Sequence, residues 1–436
     1  MALVAAPASA QRQAPSLIRD TEIENTIRAY GAPLFNAAGL SPQSVHIFLV
    51  HDRALNAFVA GGQNLFINTG LIMRAEHPGQ IIGVIAHETG HISGGHLART
   101  QDALRNASAT SILALVLGAA AAVASGSPDA GVAVMQGGQQ IAERNLLSYS
   151  RTQEAAADQA GLAFLERTGQ SARGLLEFME VLSHEELLVT ARQSPYIRSH
   201  PLTRERMDAI REFLARSRHA DAAIPDEFKI MHRRMKAKLH GFMDPPTQTL
   251  NRYKAEDRSV EARYARATAY YRVPDLANAL PLIDGLIAEM PNDAYFHELK
   301  GQMLFENGRV TEALQPYETS VRLMPDAPLL RVGLAQVQLE LNDKALHAPA
   351  FAHLREAVRV DPDNPLAWRL LAVAHGREGR LGEVALALAE QAVVQNRMRD
   401  ARQQAERALK LLQQDSPSWL RAQDIKSQAN ERLKPP

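Results

Sequence analysis

The sequence predicts an α+β domain, mostly helical with a small antiparallel sheet, followed by an all-α domain of stacked helix pairs. Three observations carry that expectation. Short β-rich runs broken by Gly, Asn and Asp occupy residues 44–70. Helical spacing then takes over, and one helix carries His87-Glu88-Thr89-Gly90-His91. Far downstream Met290-Pro291 returns as Met324-Pro325, a recurrence of 324 − 290 = 34 residues.

The chain has 436 residues and is 46% hydrophobic, enough for more than one buried core. Lys+Arg and Asp+Glu are both 48, so the formal net charge is zero and no basic excess points to nucleic acid. Cysteine is absent, which excludes a thiolate nucleophile, Cys-ligated zinc and disulfides.

The opening "MALVAAPASAQRQAP" places Ala8-Ser9-Ala10 before Gln11, like the end of a secretory signal with small residues at −3 and −1. The basic leading region is missing. Residues 1–14 are therefore either a truncated signal or a disordered Ala-rich arm. A signal implies export, and in a bacterium a periplasmic home. The most apolar run, residues 110–126, is shorter than the ~20 residues of a membrane span. It reads as a buried or interfacial helix, and peripheral membrane contact stays open.

Residues 15–40 have apolar positions at 3–4 spacing and read as a helix. "SVHIFLVHD", "ALNAFVAGG" and "QNLFINTG" then read as about three antiparallel strands. A long helix is expected from Pro78 to Asn106, a second from Gly138 to Thr168 ending at Gly169, and further helices to about Ala237. "HGFMDPPTQTLNRY", residues 240–253, breaks the pattern with a Pro pair. The domains are accordingly set at 15–245 and 246–436.

Beyond the break there is no strand signal. A third copy of the repeat has Pro362 37 residues after Pro325, leaving room for a three-residue insertion near "KALHAPA". In each copy a turn ("ENGR", "REGR") follows the first helix. Ala313 or Ala385 then sits where the second helix must pack closely. Such pairs cannot bury their apolar faces alone, so they stack into a superhelix with a concave groove. About four pairs fit between residues 258 and 434.

His87 and His91 stand at i and i+4, about 400° apart on a helix, so both imidazoles leave one face a turn apart. That spacing lets both reach one zinc ion. Glu88, about 100° round from His87, sits beside the metal rather than on it. There it can take a proton from the attacking water and pass it to a leaving amine. A satisfied helical His pair is the bland alternative. Gly90, Gly94 and Gly95 weigh against it, because they cost helix stability and make sense where another backbone passes close. His96 is nine residues from His87, about 900° round, so a regular helix turns it away, to pack or hydrogen-bond. The third ligand must come from elsewhere. Glu154 and Asp158 offer an i, i+4 pair on the second helix, with Glu154 as ligand and Asp158 accepting a ring N–H from a ligand histidine. Glu143 is also available.

"HETGH", then "EAAAD" and "SHPLTRER" in that order, resembles the M48 zinc metallopeptidases, and the 34-residue units resemble tetratricopeptide repeats. The resemblance covers nearly all of the chain after the first 15–20 residues. It implies a zincin-like fold, one Zn²⁺ per chain held by His87, His91 and Glu154, Glu88 as general base and acid, and Asp158 as partner of the metal site. It implies that His200 lies near the metal, either stabilising an oxyanion or occupying the fourth zinc position as a gate. Arg206 would hold Glu154 in place. "NAFVAGG" is similar to the family's edge strand beside the cleft, where substrate backbone adds near Asn56 and Ala57.

The whole architecture resembles a periplasmic branch of the family acting in outer-membrane protein assembly. That implies misassembled outer-membrane proteins as clients and assembly machinery bound through the repeat groove. The first expectation is thus a zinc endopeptidase. The alternative is mainly a chaperone or scaffold with incidental or repressed peptidase activity.

Overall fold

The computed structural model describes residues 16–96, 151–186, 196 and 200–434. Two compact units divide the chain, Met1–Leu239 and His240–Pro436. Residues 1–14, the apolar run 110–126, the start of the second helix and Glu143 lie outside the described residues.

The first unit opens with strand β1 (Leu17–Ile18) and helix α1 (Thr21–Ala37). Asp20 caps α1 by accepting from the Ile23 N–H at 2.9 Å. Ile23, Ile27, Tyr30 and Leu34 form its fully buried stripe at helical spacing. Strands β2 (His46–Val50), β3 (Ala57–Ala60) and β4 (Asn64–Asn68) follow, each as the alternation predicts.

The sheet has four strands in the order β1-β2-β4-β3 and is mixed. β1–β2 and β3–β4 are antiparallel, but the central pair β2–β4 is parallel. β3 turns back onto β4 alone, and β4 then slots beside β2. Alternation says which residues face the core and not which strand neighbours which, so the parallel pair was not legible. Ile47, Leu49, Ala57, Leu65 and Ile67 are buried on one face. Phe48, Phe66 and Phe58 line up on the other at successive ring spacings of 4.9 Å.

After a short helix α2 (Thr69–Arg74) comes α3 (Pro78–Ser93), with Pro78 at its first turn. Residues Pro78 to His91 are all buried, so α3 is a central helix rather than an amphipathic surface one. It stops at Ser93, where Gly95 adopts φ +62° and turns the chain; residues 97–106 of the expected helix lie outside the described residues. Residues 151–167 (α4) are helical, and Arg173–Glu186 (α5) packs against α3. Gly90 lets α4 approach: a Cβ there would lie 2.4 Å from the Ala157 carbonyl oxygen. Gly94 and Gly95 face no such backbone and serve the turn instead.

α6 (Arg204–Arg216) and α7 (Asp226–Met243) complete the unit. A buried ion network ties α7 to α1, through Arg234–Glu22 at 2.8 Å and Lys238–Asp20 at 2.6 Å. Tyr30 OH donates to the Phe228 carbonyl at 2.9 Å.

The second unit starts at the end of α7 and a short helix α8 (Pro246–Arg252). Ten helices then run from Val260 to Leu433, in five pairs where about four were expected. The additional pair, within residues 260–289, has no Met-Pro marker before it. First helices start at Val260, Ala294 and Pro328, spaced by 34 residues, and then at Pro365, 365 − 328 = 37 further on. The three-residue insertion lengthens the helix Lys344–Val360 to 17 residues, against 14 for Val310–Leu323. Ala313 and Ala385 are fully buried, as the spacing predicts. Among the described residues no helix is long and apolar enough to cross a membrane.

Candidate metal centre

α3 presents His87 and His91 from one face, α4 supplies Glu154 and Asp158, and His200 comes from the segment leading into α6. All five are buried. The donor atoms of His87, His91, Glu154 and His200 lie within 4.8 Å of one another. His87 Nε2 is 3.1 Å from His91 Nε2 and 3.3 Å from His200 Nδ1. Glu154 stands 3.4 Å from His87 Nε2, 3.4 Å from His91 Nε2 and 3.1 Å from His200 Nδ1.

Four donors around a tetrahedral ion with arms of about 2.0–2.1 Å are about 3.3 Å apart. The five spacings above lie at 3.1–3.4 Å, close to that figure, and three imidazoles with one carboxylate are a donor set that suits zinc. The protein donors are thus spaced to hold a metal ion, with His200 among the four clustered side chains.

The surroundings orient these donors. Asp158 Oδ1 accepts from His87 Nδ1 at 2.8 Å, which leaves the Nε2 lone pair facing the cluster. Arg206, in the first turn of α6, holds both carboxylates. It donates to Asp158 at 2.6 and 2.9 Å and lies 3.0 Å from Glu154 Oε2. Its backbone N–H is capped by Thr203, and its guanidinium also reaches the Pro201 carbonyl at 2.8 Å. Burial opposes charge on Glu154, yet the bonds to His200, His87 and His91 hold its carboxyl well below the usual range. Burial likewise opposes charge on Asp158, and His87 and Arg206 overcome it.

Glu88 is fully buried, and neither carboxylate oxygen has a hydrogen-bond partner among the described residues. Burial pushes its pKa up to about 7, against the pull of His87 and His91. Its Oε1 is 3.5 Å from His200 Nε2. A buried carboxylate with no hydrogen-bond partner among the described residues, next to a cluster of metal-ligand side chains, is suited to taking and returning a proton.

Two further residues belong to the site. His96 comes back instead of pointing away, because the helix ends and Gly95 turns the chain. Its Nδ1 lies 3.0 Å from His91 Nδ1, so it orients His91 without joining the donor cluster. The Gly94-Gly95 pair was the available signal. Tyr196 has its ring 4.5 Å from that of His200, and its carbonyl accepts from the His200 N–H at 2.7 Å. Phe178 on α5 meets its other side edge-on. No sequence pattern marked Tyr196.

Ala57 opens β3 and is buried, and Asn56 precedes it, its carbonyl accepting from the Asn68 N–H at 3.0 Å. β3 is an edge of the described sheet and packs against α3.

Residues 21–214, which contain every one of these side chains, match the family model described as peptidase family M48. Residues 264–328 match a tetratricopeptide-repeat model. The chain is 23% identical over 405 residues to the beta-barrel assembly-enhancing protease of Yersinia pestis, covering 89% of this chain and 80% of that one. It is 24% identical to a putative beta-barrel assembly-enhancing protease of Vibrio cholerae, covering 84% and 75%. It is also 24% identical to the beta-barrel assembly-enhancing protease of Escherichia coli strain K12, covering 76% and 67%.

Proposed function

From a chain that carries a peptidase family M48 domain followed by tetratricopeptide repeats, we propose a zinc-dependent endopeptidase of the bacterial periplasm. It acts in quality control and assembly of outer-membrane proteins, and its repeat domain recruits clients or assembly machinery. The observation that carries the chemistry is the convergence of His87, His91, Glu154 and His200 beside the unpartnered Glu88 carboxylate. The names of the relatives support the cellular role.

His87, His91 and Glu154 hold the ion. When bound, zinc supplies Lewis acidity for the scissile carbonyl and acidifies water. Glu88 accepts the proton of the attacking water and delivers it to the leaving amine. Asp158 and Arg206 keep His87 and Glu154 in their ligating orientation. Substrate backbone adds to β3 near Asn56 and Ala57, which brings an extended segment beside α3. Unassembled outer-membrane strands, with their open edges, suit that mode.

A second reading has its own support. His200 Nδ1 is spaced like a ligand, so four protein donors close the centre, whereas a catalytic zinc keeps one position open. A peptidase held off by His200, acting mainly as a chaperone or scaffold, follows from that closure. Glu88→Gln separates the two. It should keep about one zinc per chain while losing cleavage of a misassembled outer-membrane protein. Full rescue of client assembly in cells by this variant would transfer the biology to the scaffold.

A further inference from the structure

Among the described residues the outer edge of β3 has no partner strand, and the sheet's register fixes which backbone groups that edge presents. The Asn68 N–H donates to the Asn56 carbonyl at 3.0 Å, which marks Asn56–Asn68 as a bonded position of the β3–β4 ladder. In an antiparallel ladder bonded and non-bonded positions alternate, which makes Phe58–Phe66 the next bonded position. Ala57 and Val59 therefore turn their N–H and C=O away from β4, toward the outer edge of the described sheet.

An antiparallel strand added there bonds to Ala57 and Val59. Its residue opposite Phe58 falls in a non-bonded pair, where Cα atoms are only about 4.5 Å apart and side chains are closest. That residue emerges on the face of the sheet that carries the phenylalanine row. Phe48, Phe66 and Phe58 are each half-buried and succeed one another at 4.9 Å, with interplanar angles of 16° and 6°. The row ends at Phe58 because the described sheet ends at β3. Its next position is the one the incoming strand fills.

We propose that Phe58 is a specificity residue, selecting an aromatic or large apolar side chain in the substrate strand as the fourth rung of this row. Neighbouring substrate residues, opposite Ala57 and Val59, point to the other face and are read separately. The preferred substrate is then an extended polypeptide segment with an outward aromatic at one fixed position. The inference rests on substrate docking along β3.

The test is fluorescence anisotropy with dye-labelled extended peptides and the full-length, zinc-loaded Glu88→Gln protein, scanning Phe against Ser at each peptide position. One position should favour Phe about 3- to 10-fold in Kd, the scale of an aromatic pair. Phe58→Ser should reduce that preference below about twofold, and Phe58→Trp should keep it. Val59→Pro, which removes an edge N–H, should weaken Phe and Ser peptides alike, with circular dichroism confirming that each variant is folded. If Val59→Pro, or Val59→Gly in case the proline variant does not fold, leaves all peptides unaffected, docking along β3 is wrong and the rung falls with it. If edge variants weaken binding but no position favours Phe, or the preference survives Phe58→Ser, the rung alone is overturned. No binding by any peptide overturns both.

Discussion

At the scale of single residues, the centre is a set of buried groups that restrain one another. Asp158 and Arg206 bind each other and also hold two of the four clustered donors, His87 through Asp158 and Glu154 through Arg206. His200 is the member whose role separates inhibition from catalysis. Its Nδ1 lies 3.1 Å from Glu154 and 3.3 Å from His87, inside the donor cluster. His200→Ala should raise basal cleavage of a casein-type substrate several-fold while leaving zinc content near one per chain. A fall in activity would instead assign His200 to stabilising the reaction. His87, Glu88 and His91 were legible because helical geometry converts a five-residue spacing into a shared face. His96 was misplaced because the same geometry was extended past Ser93, where Gly95 ends it.

At the scale of elements, two contacts carry predictions, one beside the site and one where α7 meets the end of α2. The first is the α3–α4 approach at Gly90. Gly90→Ala would drive a Cβ to 2.4 Å from the Ala157 carbonyl oxygen, three residues from Glu154. Overpacking of this kind costs about 1–3 kcal/mol. Urea denaturation should show that loss together with reduced zinc occupancy, and an unchanged midpoint would contradict the packing argument. The second is the contact between α7 and the end of α2. His232 and Lys236 both donate to the Ala75 carbonyl, at 3.1 and 2.6 Å. Burial, with Lys236 beside it, lowers the His232 pKa to about 4, from an ordinary value near 6.5. Between those values the unfolded chain binds a proton that the folded chain refuses. Stability is therefore lost as pH falls from about 6.5 toward 4, by on the order of 3 kcal/mol. Urea midpoints at pH 7 and pH 4.5 should differ less in His232→Gln than in the parent. An equal drop in both would place the acid sensitivity elsewhere.

At the scale of the whole molecule, a peptidase unit shares a chain with five stacked helix pairs. Each pair buries its apolar face against the next, as in the clusters around Tyr264–Phe296, Ala313–Tyr317 and Leu354–Ala357. A stack of this kind offers an extended groove without chemistry of its own. Deleting 250–436 should therefore leave cleavage of short peptides intact while erasing the choice among full-length clients, measured by degradation of a misassembled outer-membrane protein against a soluble control. Unchanged client choice after the deletion would show that the repeats do not select substrates.

The sequence by itself determined what short-range periodicity can encode. Period 2 marked β2, β3 and β4, the i, i+4 spacing paired His87 with His91, and the 34-residue recurrence located the helix pairs. These features follow from backbone geometry, which repeats along the chain. Only the tertiary structure decided that β4 lies parallel to β2 and that His200 and Tyr196 meet the residues of α3. Those arrangements depend on contacts between residues far apart in the chain, such as His87 with His200, and spacing carries no information about which distant segments meet.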